Sequence, residues 1–86
     1  MAFNNLGALS TLAEGQSAFW WHTHGAGNHG TQIATADVKA PNSGAILTAN
    51  DQGKSLDNNN NATYFVTIRN IGPGSVFYNL QGGGVV

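Results

Sequence analysis

His22, His24 and His29 are the chain's only histidines, and they fall within eight residues of one another. On an extended strand, residues two apart project to the same side with Cα atoms roughly 6.5–7 Å apart, so His22 and His24 can converge on one ion. His29 follows the loop Gly25-Ala26-Gly27, which gives it the freedom to return as a third ligand. Three imidazoles with a fourth position left open are the layout of many catalytic zinc sites. His22, His24 and His29 are therefore the candidate ligands for a divalent transition metal. Only Glu14 and Asp37 lie nearby in sequence as carboxylates that could orient them. The plainer reading is a polar strand face that runs into a loop.

Trp20 and Trp21 are adjacent, so on a strand they point to opposite faces. Trp20 shares its side with His22 and His24, which places Trp20 outward and Phe19 and Trp21 in the core. An exposed indole beside imidazoles and the amide of Asn28 suits the apolar face of a sugar ring, with hydrogen bonds from the polar neighbours. The expected ligand-binding residues are thus Trp20, His22, His24, Asn28 and His29, with a neutral carbohydrate as ligand. The competing reading buries the same indole in a subunit interface, where tryptophan is also enriched.

The run His22-Thr23-His24 resembles the first half of the cupin signature, in which His-x-His is followed by Glu and later by Gly. His29 stands where that glutamate would be and Ala36 where the glycine would be, and no histidine follows for the second half. The resemblance implies metal binding through the same three histidines. Gly25-Ala26-Gly27-Asn28-His29-Gly30 matches G-x-G-x-x-G, but β-prone residues follow where a phosphate-binding helix would have to start. Asp57-Asn58-Asn59-Asn60-Asn61 opens like a calcium loop, yet Ala62 and Ile68 occupy the positions that require Gly and Glu. There is no cysteine and no recognisable serine elbow, so the expectation is a binding protein and not an enzyme.

Charged residues make up 8% of the chain, against roughly 25% in ordinary soluble domains. With a net charge of −1 nothing steers the chain to nucleic acid or to an anionic membrane surface. No run approaches the roughly 18 apolar residues that span a bilayer. A neutral surface rich in Asn, Thr, Ser and Gln repels copies of itself weakly, which favours a homo-oligomer and leaves a purely structural, self-assembling protein as a further reading.

Eighty-six residues make one domain, and twelve glycines punctuate it into short segments. Residues 6–13, 16–24, 31–38, 45–49 and 54–56 read as strands, separated by turns at Glu14-Gly15, Pro41 to Gly44 and Asp51 to Gly53. In the last third, Tyr64, Val66 and Ile68 alternate with Phe65, Thr67 and Arg69. Gly72-Pro73-Gly74 then reads as a hairpin turn into Val76, Tyr78 and Leu80. Residues 82–86 read as a flexible tail released by three glycines. The run Thr63 to Val76 resembles the late strands of bacterial immunoglobulin-like adhesion modules over fourteen residues, and implies a sandwich without implying a ligand. The expected fold is all-β: a small antiparallel β-sandwich, immunoglobulin-like or jelly-roll-like, of about six or seven short strands over residues 1–86.

Overall fold

Seven strands form: β1 (Asn4–Asn5), β2 (Ser10–Leu12), β3 (Ser17–His22), β4 (Gln32–Asn42), β5 (Leu47–Leu56), β6 (Ala62–Asn70) and β7 (Val76–Gly84). They come from a computed structural model that describes residues 3–85. β6 and β7 carry the strictest alternation. Ala62, Tyr64, Val66, Ile68 and Asn70 are buried on one, and Val76, Tyr78, Leu80 and Gly82 on the other. Strands of this kind need neighbours on both sides, and each becomes the centre of its own sheet. One sheet runs β3-β6-β5. In the other, β7 lies between β4 on one side and β1 with β2 on the other.

The two sheets are antiparallel throughout and pack face to face as a small β-sandwich. Leu12, Ala34, Val66, Ile68, Tyr78 and Leu80 form the buried core, with Leu6, Ala18, Trp20, Ala36, Leu47 and Ala49 packed around it. Each large core side chain contributes on the order of 1.5–3 kcal/mol by leaving water. β1 and β2 occupy one edge of β7 in turn, opposite Gly82–Gln81 and then Tyr78–Val76, so they are a single edge strand interrupted by residues 6–9. β1 and β2 pair with β7, β3 with β6, β4 with β7 and β5 with β6, and four of the six connections, β2 to β3, β3 to β4, β4 to β5 and β6 to β7, cross from one sheet to the other.

The structure corrects the expected strands and turns at several places. Gly72-Pro73-Gly74 does not close a hairpin: β6 and β7 lie in different sheets, and this segment carries the chain across. Asp51 to Gly53 is not a turn but a bulge within one continuous β5, where the register with β6 shifts between Asn50 and Gly53 and Asp51 takes a φ of 55°. The expected strand 6–13 shrinks to Ser10–Leu12.

The expected tail is mostly strand. Gly82, Gly83 and Gly84 pair with Ala34, Ile33 and Gln32, and the Val85 N–H donates to Thr31 O at 3.0 Å. Glycine is there for close approach, because a Cβ at Gly82 would overlap Leu6 Cδ1 and one at Gly84 would overlap Thr31 O. Val86 lies outside the described residues.

Candidate functional site

The facing of β3 is set by its partner. Ala18, Trp20 and His22 lie opposite Ile68, Val66 and Tyr64, the buried side of β6. They therefore face inward, while Phe19 and Trp21 face out, each 64% exposed. The outward assignment of Trp20 is thus reversed. Its indole is accommodated because Nε1 donates to the Tyr78 hydroxyl at 3.0 Å and the two rings meet edge to face with centroids 6.3 Å apart. The indole also lies over Gly7, where a Cβ would come within 2.9 Å of it.

His22 follows Trp20 inward and stacks on the Tyr64 ring at 5.8 Å. The strand ends there. His24 adopts a φ of 59°, yet its ring still returns to within 4.6 Å of His22, edge to face, and 6.1 Å of His29. The three imidazoles are brought together, though not by the expected strand 16–24, and they lie on the side of β3 that faces Tyr64 and not on its outer face. Nδ1 and Nε2 of His22 and Nε2 of His24 are shielded from solvent and have no hydrogen-bond partner among the described residues. Burial holds His22 below the usual imidazole range and the adjacent His24 lowers it further. Burial, then the nearby His29, lowers His24 in the same way. Among the described residues, no three His, Asp or Glu side chains are disposed to hold one metal ion.

Asn28 and His29 have local work. Asn28 Oδ1 accepts from Lys54 Nζ at 2.6 Å and from the Gly30 N–H at 3.0 Å. The His29 N–H donates to the Tyr64 hydroxyl, which donates in turn to Gly30 O at 2.7 Å. Asn61 Oδ1 takes the Gly27 N–H at 2.8 Å. The glycine-rich loop is therefore pinned to β5 and β6 as it crosses between the sheets.

The face that sequence reasoning missed is the outer side of β3-β6-β5. Phe19 stacks on Phe65 at 5.8 Å with rings 20° from parallel, and Trp21 lies directly across from Phe65 in the register. Around them stand Ser17, Thr67, Arg69, Thr48 and Asn50, brought to the same side by the pairing. One register step beyond Trp21 and Phe65, the face runs into a shallow hollow of about 470 Å³ lined by Thr23, Gly25, Ala26, Ser55, Asp57, Asn61, Ala62 and Thr63. Two backbone N–H groups, of Asn59 and Asn61, donate to Asp57 Oδ1 and hold its carboxyl below its ordinary pKa. A second cleft, about 260 Å³, opens between β4 and β5 beside Tyr64 and Lys54.

No protein-family model, no curated protein and no solved structure matches this chain.

Proposed function

We propose that this protein is a non-enzymatic binding module for a neutral carbohydrate, using the outer face of β3-β6-β5. The observation that carries the reading is the plate of exposed Trp21 and Phe19 with half-buried Phe65, bordering a hollow lined with hydroxyls, an amide and a carboxylate. A sugar ring has apolar C–H faces that stack on such rings, and equatorial hydroxyls that hydrogen-bond to groups of this kind. In the β3–β6 register of that face Arg69 is the one charged residue, so little there selects for a charged ligand.

Calorimetry with simple sugars, guided by a glycan array, tests it. Trp21→Ala is expected to weaken binding about 10- to 100-fold while leaving the melting temperature within a few degrees, since an exposed ring contributes little to the core. Trp20→Ala is expected to destabilise the fold by about 3–5 kcal/mol. Absence of sugar binding at millimolar concentration by a folded protein would remove the reading.

A second reading, a transition-metal site at His22, His24 and His29, is favoured by the gathered rings and their unpartnered nitrogens. It requires at least one ring to turn toward a common point. Zinc titration followed by melting temperature decides it: a bound ion raises the midpoint with metal concentration, and an unchanged midpoint eliminates the site.

A further inference from the structure

We infer that β3 is the joint through which two copies of this chain pair, edge to edge and antiparallel, into one continuous six-stranded sheet. The inference starts from how the four strand edges are treated. An edge strand offers unpaired N–H and C=O groups, and stable monomers blunt it with charge, proline, bulges or a covering group.

Three edges are blunted. The β1–β2 edge is broken at residues 6–9. β4 carries Asp37, Lys39, Pro41 and a register shift between Lys39 and Asn42, and the Gln52 amide covers the Ala34 backbone. β5 carries Asp51, Lys54 and the bulge between Asn50 and Gly53.

β3 has none of these devices. Its register with β6 runs unbroken from Ser17 to His22. Residues 15–28 contain no Asp, Glu, Lys, Arg or Pro. Asn70 N–H donates to Gln16 O at 2.9 Å, so antiparallel alternation turns Ala18, Trp20 and His22 to β6. It turns the backbone groups of Ser17, Phe19 and Trp21 away from the sheet, and no strand lies beyond them among the described residues.

A second copy is the occupant this edge fits. A two-fold axis at Phe19 or at Trp20 sets odd-numbered residues against odd-numbered ones, so every outward N–H meets a C=O. No charge opposes a like charge at either register. Phe19 and Trp21 of both copies then share one face as aromatic cross-strand neighbours, which stabilise antiparallel pairs. The pairing also joins the two exposed aromatic plates into one strip, without covering them. It stands whether or not the plate binds sugar.

Sedimentation velocity of the full chain from low micromolar to millimolar concentration tests it, with hydrogen exchange as a readout that needs no variant. The expected species has twice the monomer mass of 8.9 kDa. Across the same concentration range the Ser17, Phe19 and Trp21 amides are expected to slow at least about tenfold. Phe19→Lys, at an exposed position, is expected to weaken association about a hundredfold: with the axis at Phe19 it sets like charges directly opposite, and with the axis at Trp20 it sets them diagonally and removes both Phe19–Trp21 aromatic pairs. Because the chain has no cysteine, oxidation of Phe19→Cys alone or mixed with Trp21→Cys reports the register. A monomer at every concentration overturns the inference. So does a dimer that Phe19→Lys leaves intact, or one in which those three amides exchange freely.

Discussion

At one end of the sandwich Asn70 is fully buried, and every polar atom of its side chain is occupied. Nδ2 donates to Leu12 O at 2.9 Å and to Gly74 O at 2.8 Å, and Oδ1 accepts from the Gly72 N–H at 2.7 Å. At the other end of the same strand pair, His22 and His24 bring imidazole nitrogens inside with no partner among the described residues. A complete polar network stiffens the structure around it, whereas an unpaired buried nitrogen costs about 1–3 kcal/mol. The two ends thus differ: Asn70 ties the end of β2 to the crossover between β6 and β7, and the histidine end carries the unpartnered nitrogens.

The largest effect expected from this contrast is at Asn70. Asn70→Ala strands two carbonyls and an N–H in the interior and is expected to cost about 3–4 kcal/mol in urea denaturation. A loss below about 1 kcal/mol would break the comparison. The next is in pH. His22 and His24 have folded pKa values below the ordinary 6.5, so the unfolded chain binds more protons than the folded one just below that pH. Stability contributed by keeping them neutral is complete above about pH 6.5 and declines as pH falls from there toward their lowered folded values. Denaturation midpoints measured at steps between pH 7.5 and about 5 should follow this slope, and His22→Phe/His24→Phe should flatten it. The smallest effect is His22→Phe alone. Replacing two unpartnered nitrogens with a ring that still stacks on Tyr64 is expected to add about 1 kcal/mol, or roughly 4–8 °C in melting temperature. A decrease instead would mean that those nitrogens hold something.

Period-two patterning made the strands legible, and the glycine and proline clusters located the chain reversals. What patterning could not give was the partner of each strand. Gly72-Pro73-Gly74 looks the same whether it returns a chain beside itself or carries it to a facing sheet, and here it does the second. The facing of β3 was lost for a related reason. Histidines suggested an outward side, but the register with β6 sets Trp20 against Val66 and His22 against Tyr64. The alternation of Tyr64, Val66 and Ile68 against Phe65, Thr67 and Arg69 was the stronger signal. Pairing β3 to it would have put the aromatic plate on the correct side. The three imidazoles do gather, but not by the strand period that suggested it: β3 ends at His22, and His24 returns through a left-handed φ of 59°. Asp51 to Gly53 was not legible, since a bulge and a turn demand the same residue types.

The bulge in β5 leaves one more mark. It sends the Gln52 carboxamide across to the other layer, where it accepts from the Ala34 N–H at 3.2 Å and donates to the Ala34 carbonyl. A side chain there plays the part of a neighbouring peptide group and laces that flank shut. The flank of β4 and β5 is thus tied across the layers by Gln52 at Ala34, as the flank of β2 and β3 is by Asn70 at Leu12 O and by Trp20 at the Tyr78 hydroxyl, so neither side of the sandwich opens without breaking a hydrogen bond.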